Sequence, residues 1–448
     1  MIFDLNLFRK IARVDFSTNY STGGFAYPPR FAWYSARNPE KIESRIVKAI
    51  RASDFNFAVY AHFPFCASRC TFCRFYSLAN NNPADYNKLL GCMTRESGIW
   101  SNIIRRARET KGKISLESIY LGGGTPTLFN LEKFFGALTK KFDISRCRQI
   151  NLESTPDALN EKKLRFYKKI GVNRLLIGIQ SLDPKVLMAV NRFSRQADVL
   201  KKSYNLARKI GLPIITFELI AGLPKQTVKS FMHDLAKLIK LRPDGIHIYR
   251  FMLSPLSMLG KAGYYLDTEA RLNCRKMFLA AEKLLEEAEY IESGDEWILR
   301  EKESARNFQL ASSRPNLLII GPSASGSIKT KSYTFYFSNL LDIKRYKERI
   351  LKNNLAIDKH FILKGEEELI RRRFIDLMRL SEIDYSSTDY RYLKNEFKFL
   401  ESRRIIKIED SCLRIIKRDS RLWPKIFYSP KILKRCEKII KKRYSSFL

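Results

Sequence analysis

The sequence predicts an α/β protein built on a mostly parallel sheet. Six short apolar runs, rich in β-branched and aromatic residues, alternate with longer charged amphipathic stretches between residues 57 and 252. Strands that alternate with helices indicate βαβ units. The runs are apolar almost throughout, which is typical of strands covered on both faces. Six such strands suit a partial barrel or an open doubly wound sheet.

The individual elements follow from these runs. Helices are predicted between the strands, for example over residues 84–107 and 197–211, where apolar residues recur at helical spacing. The predicted strands are FAVYAHF (57–63), ISLESIYL (114–121), QINLES (149–154), RLLIGIQ (174–180), IITFELIAG (214–222) and GIHIYRFM (245–252).

The pattern changes after the sixth strand. A long helix-like stretch over 266–291 leads to LLIIGPSASGSI (317–328), and two helix-like segments follow from Lys364. The segment RIIKIEDSCLRIIKR then predicts two short strands around a turn at Glu409, so the end of the chain resembles a winged helix. We expect four parts: an N-terminal segment 1–54, a barrel core 55–255, an extension 256–363 that closes the site, and a C-terminal winged-helix-like domain 364–448.

Composition narrows the class of protein. The hydrophobic share of 45% is normal for a globular chain of 448 residues. The first residues lack the apolar stretch of a signal peptide, and no run of about 18 apolar residues occurs, so we expect no membrane span. Five of the eight cysteines are scattered singly, which argues against a disulfide framework and favours a reducing cytoplasm.

The charge is strongly positive. A formal net charge of +36 favours anionic partners, but basic residues are spread along the whole chain, so compositional drift explains the charge equally well. Only the C-terminal segment resembles a nucleic-acid module, and there only weakly. Nucleic acid is therefore not the partner we expect.

Three cysteines lie close together directly after the first predicted strand. In YAHFPFCASRCTFCRFYS, Cys66, Cys70 and Cys73 have the spacing C-x₃-C-x₂-C. Ligands gather at the carboxyl ends of parallel strands, so this loop is well placed for an iron–sulfur cluster or a metal ion. A structural zinc site with His62 as fourth ligand is one alternative, and three buried inert cysteines are another.

Four further motifs follow later strands. The glycines of LGGGTPTLF (121–129) allow the backbone to approach a ligand closely. Glu153 and Gln180 end the third and fourth strands, Arg192 is expected on the helix after the fourth, and Glu218 lies inside the fifth. A carboxylate buried in a strand requires a partner, so these groups together indicate a site.

In their order, these motifs resemble the radical S-adenosylmethionine (SAM) superfamily. Within it, the chain is similar to the oxygen-independent coproporphyrinogen III oxidase family over most of residues 55–430. The resemblance rests on YAHFPFCASRCTFC, GGGTPT, the GVNR…GIQS…AVNR block and GLPKQT, with RNFQ (306–309) and LLIIGPSASGSI later.

The resemblance implies a partial (β/α)₆ barrel with a [4Fe–4S] cluster held by Cys66, Cys70 and Cys73. The iron without a protein ligand would bind SAM, which accounts for the odd number of thiols. One electron from a flavodoxin- or ferredoxin-like donor would cleave SAM to methionine and a 5′-deoxyadenosyl radical. By motif position, the first SAM site would be lined by Tyr60, Gly123, Gly124, Thr125, Glu153, Gln180 and Arg192.

The same resemblance places Glu218 and Ile220 nearer a second SAM, if two bind. The residues expected to be catalytic are Tyr60, Glu153, Gln180 and Glu218. The substrate implied is a small molecule such as an anionic tetrapyrrole.

Two departures from the family pattern concern the reaction. The decarboxylating oxidases carry a further cysteine where this chain has Phe75, and an aspartate is usual at the position of Glu218. The Cys-x-Phe ending resembles other branches, which include haem chaperones, anaerobic haem-degrading methyltransferases, C-methyltransferases and cyclopropanases. The segment EWILREKESARNFQ (296–309) lacks the histidine-bearing motifs of a haem chaperone.

The sequence therefore predicts a radical SAM enzyme that acts on a tetrapyrrole or another conjugated substrate. Methyl transfer from a second SAM is one form of that reaction. The alternatives that stay open are a coproporphyrinogen III oxidase-type decarboxylase, a haem chaperone with little turnover, and a zinc-stabilised nucleic-acid-binding protein.

Overall fold

One mixed sheet organises the part of the chain that the structure, a computed structural model, describes. Those residues are 32–192, 196–254, 257–293, 296–302 and 316–365, with 368, 382–384, 398, 401–402, 406–409, 412–415 and 437–438. The predicted N-terminal segment up to residue 31 and most of the helices predicted after Lys364 lie outside them. The division into four parts stays a prediction.

The strands and helices have the following bounds. The strands are β1 (Tyr34–Ser35), β2 (Phe57–Phe63), β3 (Phe65–Cys66), β4 (Leu78–Ala79), β5 (Ile114–Gly123), β6 (Phe142–Asp143), β7 (Gln149–Ser154), β8 (Arg174–Gln180), β9 (Ile214–Ala221), β10 (Gly245–Arg250), β11 (Tyr290–Ser293), β12 (Glu296–Leu299), β13 (Asn316–Ile320), β14 (Ser325–Lys329), β15 (Tyr333–Asn339), β16 (Ile357–Lys364), β17 (Glu382–Asp384), β18 (Ile406–Glu409) and β19 (Cys412–Ile415). The helices are α1 (Pro39–Arg51), α2 (Pro83–Arg108), α3 (Leu131–Leu138), α4 (Glu161–Lys169), α5 (Pro184–Ala189), α6 (Gln196–Ile210), α7 (Val228–Ile239), α8 (Met258–Lys261), α9 (Thr268–Glu287) and α10 (Ile343–Leu351).

The centre of the sheet is parallel. Its order is β13-β2-β5-β7-β8-β9-β10, and each neighbouring pair in this run is parallel. Antiparallel strands extend both edges, β12 and β11 beyond β10, and β14, β15, β16 and β1 beyond β13. Among the described strands the sheet does not close. The α/β fold with a partial, open barrel is therefore confirmed.

All six predicted strands of the core are present, at nearly the predicted bounds. Strand β5 runs two residues further than predicted, because Gly122 and Gly123 continue its pairing with His62 and Phe63 of β2. The helix predicted over 266–291 ends at Glu287, and strand β11 follows it. At the C-terminus, β18 and β19 form the predicted antiparallel pair, and β17 adds a third strand.

Nine of the ten described helices begin where an amide, carboxylate or hydroxyl side chain can cap them. A capping side chain that accepts a backbone N–H satisfies one of the free donors in the first helical turn, which fixes where each helix starts after its loop. The caps are Asn38, Asn82, Asn130, Asn160, Asp183, Thr227, Ser257, Asp267 and Asp342.

The two faces of the parallel strands differ in chemistry. One face is apolar and buried, with Leu121, Leu152, Ile177, Phe217 and Ile246. Because side chains alternate along a strand, the opposite face carries every second residue, and there polar groups prevail. They include Tyr60, His62, Tyr120, Asn151, Glu153, Arg174, Thr216, Glu218, His247 and Tyr249. No helix among the described residues is long and apolar enough to cross a membrane.

Candidate active site

The cysteine loop leaves the carboxyl end of β2 and is held at its base and its tip. At the base, Cys66 lies in β3, which pairs with β4. At the tip, the Thr71 amide donates to the carbonyl of Val190 at 3.0 Å, and the Asn191 side chain donates to the carbonyl of Arg69 at 3.0 Å. These bonds place the loop beside the segment that follows β8.

Each of the three thiols has a hydrogen-bond partner from a different residue. Thr125 Oγ1 donates to Cys66 Sγ at 3.5 Å, and Arg192 Nη1 donates to Cys70 Sγ at 3.2 Å. Cys73 Sγ and the Ser77 hydroxyl are 3.6 Å apart. Burial raises the pKa of Cys66 to about 12. Metal binding would therefore have to displace the thiol proton, as it does at thiolate sites in general.

His62 does not fit the role of a fourth zinc ligand, because both of its ring nitrogens already have hydrogen-bond partners. His62 is fully buried, and its Nε2 lies 2.8 Å from the carbonyl oxygen of Tyr76. Because a carbonyl can only accept, Nε2 carries the proton, and Nδ1 accepts from the Tyr60 hydroxyl at 2.9 Å. In the described part of the chain, no three or more His, Cys, Asp or Glu side chains lie close enough together to hold one metal ion. A cluster that bonds each thiolate to a different iron requires no such arrangement.

The glycine run brings the backbone of β5 close to both the loop and Glu153. A Cβ on Gly124 would lie 2.7 Å from the carbonyl oxygen of Phe65 and 3.0 Å from Cys66 Sγ. A Cβ on Gly122 would lie 2.9 Å from the Glu153 carboxylate. Gly123 has φ +113°, which favours glycine, and its amide donates to Glu153 Oε2 at 3.0 Å.

Glu153 is held on its strand by two donors. Besides the Gly123 amide, the Tyr120 hydroxyl donates to its Oε1 at 2.7 Å. Burial, and then the neighbouring carboxylate of Glu218, raise the pKa of Glu153 to about 7. The pKa of the Tyr60 hydroxyl also lies well above its usual range, because burial and Glu153 both disfavour the phenolate.

Gln180 and Arg192 connect the end of β8 to the cysteine loop. Gln180 has φ +69°, in the left-handed region that non-glycine residues rarely adopt. Arg192 Nη2 donates to the carbonyl of Gly178 at 2.5 Å, while Nη1 reaches Cys70. The prediction that Arg192 lies on the following helix is wrong. Helix α5 ends at Ala189, and Asn191 turns the chain with φ +53°.

The residues present fit an iron–sulfur cluster with a bound polar ligand. Three buried polar atoms around the loop have no hydrogen-bond partner among the described residues: Arg69 Nε, Thr71 Oγ1 and Gln180 Oε1. Buried polar groups are nearly always satisfied, so such atoms at one place indicate a missing partner. The three thiols and the tight glycine backbone point to the same place.

Glu218 and Ile220 extend this site along β9. Glu218 accepts from the Tyr249 hydroxyl at 3.3 Å, and burial raises the pKa of its carboxyl. Ile220 packs against a small apolar cluster that Phe72 of the cysteine loop also contacts. The structure therefore brings the predicted residues to one end of the parallel strands, with Ile220 in an apolar part of that end.

Other polar residues of the same face were missed by the sequence prediction: Tyr120, Arg174, Thr216, His247, Tyr249 and Glu296. A signal for some of them was present, because GIHIYR places His247 and Tyr249 two residues apart, as Glu218 and Thr216 are in β9. Alternation of that kind assigns residues to one face. Glu296 gave no such signal, since it reaches the face only through the pairing of β12 with β10.

Comparison with known proteins decides the class. Residues 60–238 match the family model described as the Radical SAM superfamily. The chain contains a radical SAM domain. The matched segment of this radical SAM enzyme contains all three cysteines, the glycine run, Glu153, Gln180, Arg192 and Glu218. The superfamily implies a [4Fe–4S] cluster and SAM as cofactors.

This radical SAM enzyme is similar to individual proteins in sequence and in structure. It is 25% identical over 352 residues to an oxygen-independent coproporphyrinogen III oxidase of Helicobacter pylori, which covers 75% of both chains. It is 30% identical over 225 residues to the heme chaperone HemW of Bacillus subtilis, covering 48% of this chain and 55% of that protein. The structure of coproporphyrinogen III oxidase (HemN) from Escherichia coli superposes with a TM-score of 0.73 at 19% identity. That match covers 87% of this chain and 93% of HemN, and it supports the fold.

Proposed function

We propose that this radical SAM enzyme starts radical chemistry on a tetrapyrrole or a similar conjugated substrate that carries carboxylates. The observation that supports the proposal most directly is the set of three thiols, each with its own hydrogen-bond partner, beside the buried Glu153 and Gln180. Several relatives are named coproporphyrinogen III oxidase, and that name supplies the substrate class.

Residues of this chain would have separate tasks in such a reaction. Cys66, Cys70 and Cys73 would hold the cluster, and Arg192 would offset negative charge at Cys70. When bound, the cluster and SAM supply an organic radical after one-electron reduction. Glu153 offers a carboxylate and Gln180 an amide oxygen, so both can bind hydroxyl and amino groups of SAM.

Two forms of the reaction fit this site, namely one-carbon transfer and decarboxylation. In the first, a second SAM near Glu218 and Ile220 donates a one-carbon group to the substrate. In the second, the substrate loses a carboxyl group. Phe75 in place of a cysteine, and Glu218 in place of an aspartate, favour one-carbon transfer.

The electron donor proposed is a flavodoxin- or ferredoxin-like protein in the cytoplasm. Six cysteines are free thiols, as a reducing compartment requires: Cys66, Cys70, Cys73, Cys92, Cys147 and Cys274. The net charge of +36 favours encounter with an acidic protein.

The test is anaerobic turnover of the full-length chain, reconstituted with iron and sulfide, with SAM, a reductant and a panel of porphyrins and porphyrinogens. Mass spectrometry of the products separates the two forms. A gained one-carbon group with S-adenosylhomocysteine supports transfer, and loss of carbon dioxide supports decarboxylation. If every tetrapyrrole is recovered unaltered while another conjugated substrate is consumed, the substrate class is wrong.

A haem delivery protein is the second candidate. Relatives named heme chaperone HemW share 28% to 30% identity with this chain over 204 to 236 residues, which is the observation that favours it. Haem titration of the reconstituted chain discriminates between the two. Stoichiometric tight binding without any altered product supports delivery, whereas release of a modified tetrapyrrole supports the enzyme.

A further inference from the structure

A second group of charged residues lies on the polar face of the sheet, and the proposed function leaves it unused. Arg174 of β8 forms an ion pair with Glu296 of β12, and the two side chains are only 3% and 1% exposed. Thr216 Oγ1 donates to Glu296 Oε1 at 2.8 Å. His247 Nε2 faces the same oxygen at 3.5 Å. One buried carboxylate therefore has three donors around it.

From His247 the contacts continue towards the open end of the face. His247 Nδ1 lies 2.5 Å from the Tyr249 hydroxyl oxygen, and that hydroxyl lies 3.3 Å from Glu218 Oε1. Tyr249 is 39% exposed, whereas the His247 side chain is 12% exposed. The line of groups thus runs from a fully buried carboxylate to an exposed hydroxyl near the carboxyl end of β10.

The donors and acceptors along this line match if His247 is an imidazolium. The charged ring then faces Glu296 through Nε2 as an ion-pair partner without a hydrogen bond, Nδ1–H is donated to the Tyr249 oxygen, and the Tyr249 proton is donated to Glu218. Burial alone would raise the pKa of Glu296, but His247 and Arg174 together lower it to about 2, so its carboxylate stays ionised. Burial alone would lower the pKa of His247, but Glu296 more than offsets this and raises it.

Charges on the neighbouring strands are consistent with that state. The titratable and charged groups that act on His247 are Glu296, Glu218 and Arg174. Around Glu218 and Tyr249, the further groups are Arg192, Glu153 and Tyr120. Glu296 is ionised and has Arg174 as its ion-pair partner, and Glu218 also raises the pKa of His247. Both carboxyl groups therefore favour a protonated His247.

We propose that His247 stores one proton, which Tyr249 and Glu218 pass to the substrate. The proposal rests on the proposed function for the identity of the site, and it adds the acid that the radical step itself does not provide. Glu218 and Tyr249 are the candidate catalytic residues, because they lie at the accessible end. His247 acts through them and is a positioning residue, as are Glu296 and Arg174.

The transfer moves one proton and no electrons. The Nδ1 proton of His247 passes to the Tyr249 oxygen while the Tyr249 proton passes to Glu218 Oε1, and from there a proton bonds to the substrate. His247 is left neutral, and its proton is restored from water through Tyr249 after the product leaves. An ion pair that only joined the strands would need Arg174 and Glu296 but not the exposed hydroxyl of Tyr249.

The first arm of the test needs neither cofactor nor substrate. The chain has four histidines, so the ring nitrogens of His247 can be assigned in the ¹⁵N-labelled full-length protein by comparison with His247→Gln. We expect His247 to be an imidazolium at neutral pH and to titrate above the ordinary value of about 6.5. Glu296→Gln should lower that pKa. A His247 that is neutral at pH 7 overturns the proposal.

The second arm uses the reconstituted enzyme with Tyr249→Phe, which keeps the ring and removes the hydroxyl. We expect product formed per 5′-deoxyadenosine to fall about 100-fold, the lower range for loss of a general acid. In the wild type this ratio should fall as the pH rises through the pKa of His247, and in Tyr249→Phe it should not depend on pH.

Tyr34→Phe is the matched control, because Tyr34 is 51% exposed and lies in β1, at the opposite edge of the sheet from β10, and it should behave as the wild type. A wild-type ratio in Tyr249→Phe contradicts the proposal. If the wild type forms no 5′-deoxyadenosine at all, the proposed function fails instead, and the histidine titration still decides the protonation of His247.

Discussion

At the scale of single residues, Gly124 determines how closely the backbone at the end of β5 can approach the cysteine loop. Its amide donates to the carbonyl of Phe63 at 2.6 Å, and the position of a Cβ there is already taken by Phe65, Phe63 and Cys66. Backbone atoms cannot swing away as a flexible side chain can. A side chain at residue 124 must therefore move Cys66.

Gly124→Ala should lower the iron and sulfide bound after reconstitution to less than half the wild-type amount, because Cys66 is displaced. Gly136→Ala is the matched control, since nothing lies within 4 Å of a Cβ on Gly136 in helix α3. In that exposed helical position alanine should stabilise the fold by about 0.5–1 kcal/mol. Iron analysis and thermal unfolding check both variants. Equal iron in both would show that the loop tolerates the added methyl group.

The Arg192→Gln variant should distinguish the effect of the contact with Cys70 from the effect of the contact with the Gly178 carbonyl. The variant loses the charge next to Cys70 but can keep one hydrogen bond to the carbonyl of Gly178. We expect the cluster to assemble with a more negative reduction potential, because a positive charge near it is gone. A redox titration followed by electron paramagnetic resonance measures this. An unchanged or more positive potential would contradict the role given to Arg192.

The same scale shows what sequence could predict about the site. Cys66, Cys70, Glu153 and Gln180 were predicted because each lies in a short motif at the end of a predicted strand or just after it. His62 was given a ligand role in one alternative, and its actual partners, Tyr60 and the Tyr76 carbonyl, depend on the loop path. Contacts between distant segments of the chain decide such cases, and spacing within one motif does not contain them.

At the scale of elements, Glu96 joins the long helix α2 to the C-terminal half of the sheet. It is fully buried and accepts from the Gly321 amide and the Asn339 side chain, both at 2.7 Å, and from the Tyr346 hydroxyl. Burial raises the pKa of its carboxyl to about 7, although all three donors lower it. One side chain thus links α2, the end of β13, β15 and α10.

Glu96 should make stability depend on pH. Its folded pKa lies above the unfolded value of 4.5, so between pH 4.5 and about 7 the folded state binds more protons than the unfolded state. The free energy of unfolding should therefore fall as the pH rises through this window. In Glu96→Gln that contribution is absent, because glutamine does not ionise but keeps an oxygen and an amide for the same partners.

Denaturant unfolding of wild type and Glu96→Gln at pH 5 and pH 8 measures the effect. The wild type should lose about 1–3 kcal/mol more than the variant between the two pH values. Glu286→Gln, on an exposed side of α9, is the control and should follow the wild type. Parallel pH profiles for wild type and Glu96→Gln would show that Glu96 is not held at a raised pKa.

The elements themselves were predicted unevenly for a physical reason. The six core strands follow from local apolar runs, and their bounds agree within two residues. The partners of the later strands do not follow from local pattern. Strand β13 lies parallel beside β2 although about 250 residues separate them, and β12 pairs with β10 across the intervening helix α9.

At the scale of the whole molecule, the sheet separates two environments. Apolar side chains face the helices on one side, and a network of tyrosines, carboxylates and cations occupies the other, with the cysteine loop at its carboxyl end. Burial of ionised groups is costly, so such a network is retained where its charges are paired or used. The net charge of +36 acts at longer range, on encounter rather than on the fold.

Reduction of the cluster by an acidic flavodoxin should slow as salt rises. Attraction between the basic chain and an acidic donor is screened over about 8 Å at physiological ionic strength. We expect the second-order rate constant to fall at least 10-fold between 10 mM and 300 mM salt. Stopped-flow absorbance measures it, with a small-molecule reductant as control. A rate independent of salt would mean that the charge has no part in recognising the donor.

The central claim is that Cys66, Cys70 and Cys73 hold a cluster at which SAM is cleaved. Its most direct test is the 5′-deoxyadenosine formed anaerobically by the full-length reconstituted chain with SAM and dithionite. The account predicts that the wild type and Cys147→Ala, whose thiol lies outside the site, form it, and that Cys70→Ala loses both the product and the brown cluster colour. A wild type that binds zinc but no iron or sulfide, or a Cys70→Ala variant that forms as much 5′-deoxyadenosine, would contradict it.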